Sequence, residues 1–251
     1  MTAAVLPGAE PWSAPGGPSG VLVLHGFTGC PQSMRGLARA FASAGFAVEL
    51  PLLPGHGTAV EDMIPTRWSD WSEAAERAYQ DLAGRCERVV LAGLSMGGTL
   101  ACWLAARHDD VAGGVLVNAA VEPPADSFLE MMRAALDAGS ETIPGIGNDV
   151  ADPDGRELAY DLVPVRAALS LWDALAELAP RLGDIRCPLL VLTSRNDHVV
   201  PPSAADFLAG RVSGEVERVV LERSYHVATL DYDRAGIEAR AVEFARSVTA
   251  G

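Results

Sequence analysis

Long hydrophobic runs, basic clusters and spaced cysteine pairs are all missing from this sequence, and each absence narrows what the chain does. No stretch approaches the roughly 18 uncharged apolar residues that a membrane-crossing helix needs. The opening MTAAVLPGAEPW has no basic region followed by an apolar one, so the sequence predicts a soluble, cytoplasmic protein. No long basic cluster interrupts an acidic background with a formal net charge of -14. Attraction to nucleic-acid phosphates is therefore unfavourable, and no nucleic-acid partner is expected. The same charge disfavours docking on anionic lipid, leaving only transient contact between an apolar surface and a membrane. Cys30, Cys86, Cys102 and Cys187 lack C-x-x-C spacing, which points to reduced, mostly buried thiols rather than a zinc site or a redox pair. H-E-x-x-H, a Walker loop and a G-x-G-x-x-G fingerprint are also absent, so neither a metal nor an organic cofactor is expected.

What is present reads as one globular α/β domain. With 251 residues, 49% hydrophobic and 21% charged, residues 1–251 suffice for a single domain with a sizeable core. Short buried-strand patterns occur at Gly20 to His25, Ala47 to Leu50, Arg88 to Ala92, Gly114 to Asn118, Pro188 to Thr193 and Glu217 to Leu221. Helical stretches fall between and after them, at Ser33 to Ala44, Trp68 to Arg85, Met96 to Arg107, Pro202 to Leu208 and Asp231 to Val248. Such alternation predicts a parallel sheet covered on both faces. The segment before Gly20, rich in Pro and Gly, is expected to form an edge hairpin or arm. From Val121 to Leu171 no strand pattern appears, and so long an excursion inside a compact domain reads as an inserted cap or lid.

The chemistry centres on Gly93-Leu94-Ser95-Met96-Gly97. A bare G-x-S-x-G arises by chance about 0.1 times in such a chain at roughly 7% Gly. Here it sits between a strand pattern and a helix, the setting of a nucleophile elbow, where a tight turn exposes the serine and glycines on either side avoid collisions. A serine hydroxyl needs a base to take its proton and a third group to hold that base. The chain order that accompanies the elbow is Ser, then acid, then His. His226 follows the last strand pattern and fits as base. His25 and His56 sit in glycine turns ahead of the acid, His108 lies near a helix end, and His198 directly follows the acid candidate. Asp197, in the loop after Leu189 to Leu192, is favoured as the acid, with Glu122 as the rival from an earlier loop. The backbone N–H groups of Phe27, in His25-Gly26-Phe27-Thr28-Gly29, and of Met96 are the expected oxyanion donors. The implied reaction is ester hydrolysis through an acyl-enzyme on Ser95.

Seven segments carry a further likeness: HGFTG (25–29), PLLPGHGT (51–58), GLSMGGTL (93–100), VNAAVE (117–122), ELAY (157–160), DHVVPP (197–202) and SYHVATLDYD (224–233). Together they resemble the small bacterial monoacylglycerol lipases and their carboxylesterase relatives, and the likeness spans nearly the whole chain. It implies an α/β-hydrolase fold, a mostly parallel central sheet flanked by helices with a small inserted cap, and a tunnel for one acyl chain ending at the serine. It also implies that Ile146 and Glu157 line a narrow polar end, the glutamate accepting hydrogen bonds from glycerol hydroxyls and the isoleucine limiting the bulk of the alcohol. The sequence departs from the family pattern at Cys30, where threonine is commoner, and between Asp126 and Thr142. A monoacylglycerol is the expected substrate. A general carboxylesterase for short acyl groups is the nearest alternative, and a slow or non-catalytic ligand-binding relative is the alternative from another class.

Overall fold

The computed structural model describes residues 3–250. The N-terminal arm forms a short strand, β1 (Trp12–Ala14), followed by β2 (Ser19–Leu24), helix α1 (Arg35–Ser43) after a 3-10 turn, and β3 (Ala47–Leu50). Strand β1 pairs antiparallel with β3 at the edge of the sheet, so of the two forms expected for this segment, edge hairpin or arm, it takes that of an arm that contributes an edge strand. A one-turn helix α2 (Val60–Met63) and the long α3 (Trp68–Ala83) lead to β4 (Arg88–Leu94), α4 (Met96–Ala105) and β5 (Val111–Val117).

After β5 the chain leaves the alternating pattern. It runs through α5 (Asp126–Asp137), β6 (Thr142–Pro144), β7 (Leu162–Pro164) and α6 (Val165–Leu178) before returning as β8 (Leu189–Ser194), α7 (Ser203–Ala209), β9 (Val216–Leu221) and α8 (Arg234–Thr249). The expectation of no strand between residues 121 and 171 is corrected here, because β6 and β7 pair antiparallel as a separate two-stranded ribbon. Each has three residues and each carries a proline, too short and too interrupted for a period-2 pattern to register. Helix α6 begins within that interval and runs beyond it. Its buried residues Ala167, Ala168, Leu171, Ala174, Leu175 and Leu178 repeat at the three- and four-residue spacing of a helix face.

The main sheet has the order β1-β3-β2-β4-β5-β8-β9, and all its pairings except β1 with β3 are parallel. Its central strands are apolar on both sides, and successive residues feed opposite layers. Val21, Val23, Val90, Ala92, Val115 and Val117 pack with α1 and α8 on one face. Leu22, Leu24, Val89, Leu91 and Leu116 pack with α3, α4 and α6 on the other. Continuous apolar strands are what a sheet buried on both faces requires. The parallel arrangement brings the carboxyl ends of β2, β4, β5, β8 and β9 to one rim, where loop-borne functional groups gather.

Candidate active site

Ser95 links β4 to α4 with φ 54° and ψ -119°, a conformation that costs an L-residue on the order of 1–3 kcal/mol and persists only where its surroundings impose it. Those surroundings are backbone. A Cβ on Gly93 would lie 2.2 Å from the Gly97 carbonyl carbon, and one on Gly97 would lie 2.1 Å from the Leu24 carbonyl oxygen. The two glycines of the motif thus let the strand, the helix start and the end of β2 close together under the serine. The Ser95 N–H donates to the Val117 carbonyl at 3.1 Å, and the Ser95 carbonyl accepts from Gly98 and Thr99. The turn is held while the side chain faces the cavity described below.

On the neighbouring loops, His226 Nδ1 lies 2.8 Å from Asp197 Oδ2. The two side chains are 8% and 1% exposed. Since the carboxylate can only accept, Nδ1 carries the proton, leaving the Nε2 lone pair free for a base. The other oxygen of Asp197 accepts the N–H groups of Val199 and Val200, each at 2.8 Å, a turn typical of an aspartate that ends a strand loop. The rival Glu122 meets Ser203 Oγ at 3.2 Å and has no bond to His226 among the described residues. Ser95 and His226 line the same cavity, although their side chains share no hydrogen bond among the described residues. Such bonds are often long in ligand-free sites.

The N–H groups of Phe27 and Met96 have no acceptor among the described residues, the condition for a pair of preorganised donors. The loop of Phe27 approaches the serine closely: a Cβ on Gly26 would lie 3.5 Å from Ser95 Cβ. Met96 itself is fully buried at the first position of α4, where a helix N–H lacks an internal partner. The remaining histidines have other duties. His25 donates from Nδ1 to the Gly26 carbonyl at 2.9 Å and accepts at Nε2 from the Leu53 N–H at 3.1 Å. His108 pairs with Glu76 at 2.9 Å, and His198 with Asp149 at 2.7 Å. His56 donates to the Pro54 carbonyl, while its Nε2 is buried without a partner among the described residues. Burial pushes His25 down to about 4. Burial, with His25 alongside, pushes His56 down to about 3, so both stay neutral. The four thiols are free and buried or half-buried; burial pushes Cys30 and Cys187 up to about 11.

A cavity of about 660 Å³ opens over the serine, within the roughly 300–1,000 Å³ range of small-molecule sites. The excursion after β5 supplies its apolar wall, including Phe128, Ile143, Val163, Leu171, Trp172 and Leu175, with the Phe128 and Trp172 rings edge to face at 4.9 Å. Glu157 also lines it. The irregular segment that carries Glu157 is tied down over the loop of Phe27. Tyr160 N–H donates to the Thr28 carbonyl at 3.1 Å, Leu158 N–H to Gln32 Oε1 at 3.0 Å, and Gln32 Nε2 to the Arg156 carbonyl at 2.9 Å. There the Glu157 carboxylate lies against Gly29, whose missing Cβ would come within 2.7 Å of Oε1. Burial raises the Glu157 carboxyl above its ordinary value, and His226 and Ser33 offset this in part. Ile146 lines the cavity too and is 62% exposed, so it stands at the opening, on a stretch between Gly145 and a left-handed Gly147 (φ 79°).

Two residues of the site escape a motif-based reading. Asp149, buried at 7% exposure, accepts from the His226 N–H at 3.0 Å. Asn118, left-handed at φ 45°, donates from Nδ2 to the His226 carbonyl at 2.7 Å. Asn118 is visible in the sequence only as the polar end of an apolar strand, and Asp149 as one acidic residue among several.

A parallel sheet with a serine on a strained turn after its central strand, facing a histidine held by a carboxylate from a later strand, defines a class. The chain belongs to the alpha/beta hydrolase family, whose model matches residues 21–239. It is 48% identical over 244 residues to the thermostable monoacylglycerol lipase of Bacillus sp. (strain H-257), spanning 96% of this chain and 95% of that protein. A solved structure from work on the metagenome-derived lipolytic enzymes LipS and LipT superposes with a TM-score of 0.92 at 42% identity, covering 97% of this chain and all of that one. The monoacylglycerol lipase of Paleococcus ferrophilus shares the fold at a TM-score of 0.80 and 18% identity, over 96% of this chain.

Proposed function

We propose that this protein is a serine hydrolase that cleaves monoacylglycerols to glycerol and free fatty acid. The observation that carries the reading is the His226–Asp197 pair at 2.8 Å on the cavity that Ser95 lines. Ser95 Oγ attacks the ester carbonyl as His226 Nε2 takes its proton, and the resulting oxyanion is held by the free N–H groups of Phe27 and Met96. Asp197 fixes the imidazole tautomer and stabilises its charged form. Collapse of the tetrahedral adduct breaks the bond to the alcohol, which leaves with the proton from His226. Water then gives its proton to His226, attacks the acyl-enzyme and releases the acid. We assign residues 121–171 as a cap whose apolar wall receives the acyl chain. Glu157, a half-buried acceptor beside the reacting groups, receives the glycerol hydroxyls. Among the described residues no helix is long and apolar enough to cross a membrane, and the substrate reaches the site through the opening beside Ile146.

The exposure of Ile146 favours a second reading, a general carboxylesterase whose alcohol side is loosely bounded. Specificity constants for 1-lauroylglycerol and methyl laurate separate the two. The wild type is expected to favour the glyceride, Ser95→Ala to cleave neither, and Glu157→Leu to lose at least about tenfold on the glyceride while changing little on the methyl ester. Equal loss on both esters would remove the glycerol role and leave the carboxylesterase.

A further inference from the structure

We infer that Asp149 is a positioning residue for the active-site histidine, joining the loops that carry His226 and Asp197. The inference rests on the triad reading above but concerns a residue that touches no reacting atom. Oδ2 of Asp149 accepts the backbone N–H of His226 at 3.0 Å and that of His198 at 3.3 Å. Oδ1 faces His198 Nδ1 at 2.7 Å, and the Asp149 carbonyl accepts from the Val227 N–H at 3.0 Å. His198 is the chain neighbour of Asp197, so one buried carboxylate grips the peptide of the base and the residue next to the acid together.

The grip has a counterpart on the other side. Asn118 Nδ2 donates to the His226 carbonyl at 2.7 Å, and Asn118 Oδ1 accepts from the Ser194 N–H at 2.7 Å. The His226 peptide is therefore held at its N–H by Asp149 and at its C=O by Asn118. Asp149 is itself fixed. Buried Asp231 accepts from the N–H groups of Ala151 at 2.7 Å and Asp152 at 3.0 Å, and from Tyr225 at 2.9 Å. A buried carboxylate is costly unless its acceptor sites are filled, and those of Asp149 are filled by the two loops whose separation sets the His226–Asp197 bond. The cap-side segment that also bears Glu157 and the catalytic loop are thereby one hydrogen-bonded unit: the Glu157 N–H donates to Asn148 Oδ1 at 2.8 Å, one residue before Asp149.

A misplacement of about 1 Å costs on the order of 10²-fold in rate, which sets the size of the expected effect. Asp149→Ala and Asp149→Asn are compared with the wild type, each as the full chain. The readouts are kcat and KM on p-nitrophenyl butyrate, thermal unfolding, and the low-field proton resonance of the His226 N–H bonded to Asp197. Asp149→Ala is expected to stay folded, lose about 10²-fold in kcat with little change in KM, and lose or shift the low-field resonance. Asp149→Asn keeps an oxygen for the His226 N–H and is expected to recover most of that rate. A kcat near wild type in Asp149→Ala, a loss carried by KM, or an unmoved resonance would each overturn the inference. Should Asp149→Ala fail to fold, Asp149→Leu, which is close to aspartate in shape but accepts no hydrogen bond, decides: a lowered kcat with unchanged KM and a shifted resonance supports it, and wild-type values in both overturn it. An inactive wild type, no different from Ser95→Ala, would instead sink the triad reading, while the resonance reports the hold of Asp149 without any turnover.

Discussion

One oxygen of Asp197 holds the His226 ring while the other accepts two backbone N–H groups, and this division predicts what an amide does in its place. In Asp197→Asn the amide oxygen must stay on the Val199 and Val200 N–H groups, because an NH₂ there would face two donors. The NH₂ then points at His226 Nδ1, which must accept, moving the ring proton to Nε2 and removing the base. Turnover of a p-nitrophenyl ester is expected to fall by roughly 10⁴ through the wrong tautomer. Glu122→Gln, at a cavity-lining side chain that meets Ser203 and has no bond to His226 among the described residues, should stay near wild type, and the reverse ranking would move the acid to Glu122. Asp197 was legible in the sequence because an aspartate ending an apolar strand at the right place in the chain order has few competitors. Asp149 was not, since its role depends on a long excursion returning against loops far away in sequence, and no local pattern encodes that return.

The elbow is the element on which the site depends most, and its glycines are set by neighbouring backbone. In Gly97→Ala the new methyl would sit 2.1 Å from the Leu24 carbonyl oxygen, with strand on one side and helix on the other, so neither can yield cheaply. The expected cost is on the order of 3 kcal/mol or more, read as a lower urea midpoint together with loss of esterase activity. Gly236 in α8 supplies the contrast, since a Cβ there meets nothing within 4 Å. Gly236→Ala should raise the unfolding free energy by up to about 1 kcal/mol, read as a higher midpoint, and leave activity alone. Equal behaviour of the two variants would contradict the packing described for the elbow. The same physics explains which elements the sequence disclosed. Strands β4 and β5 are buried on both faces, and the apolar runs at Arg88 to Ala92 and Gly114 to Asn118 announce them between turns. By contrast, β6 and β7 are held by the fold around them rather than by their own three residues. Helix α6 had a readable helical spacing, but its apolar face lies partly under α5 and merges with a segment that otherwise lacks strand punctuation. The exposed position of Ile146 belongs to the same interval, where likeness to a family indicates a residue but not how far the chain folds over it.

At the scale of the whole molecule, two apolar layers sandwich the sheet, and the loops on its active rim bury two neutral histidines, His25 and His56, whose rings meet edge to face at 5.0 Å. Burial lowers their folded values to about 4 and about 3, below the roughly 6.5 of an unfolded histidine. Between those limits the unfolded chain binds protons that the folded chain refuses, so stability is complete above about pH 6.5 and falls as pH drops through it. Glu157 acts in the opposite sense: its raised folded value favours the folded state at low pH and weakens it as pH rises. Each histidine should remove about 2 kcal/mol between pH 7 and pH 5, the free energy of protonating an unfolded imidazole 1.5 pH units or so below its pKa. The net charge of -14 and the carboxylates titrating below pH 5 add to the slope of any single chain, so the informative quantity is a difference. In His56→Asn the amide can still donate to the Pro54 carbonyl, and no group titrates. Urea unfolding of both chains at pH 7 and pH 5 should give the variant a stability loss smaller by about 2 kcal/mol than that of the wild type. Parallel losses would mean that His56 accepts its proton within the folded state, which its buried Nε2, without a partner among the described residues, gives no means of stabilising.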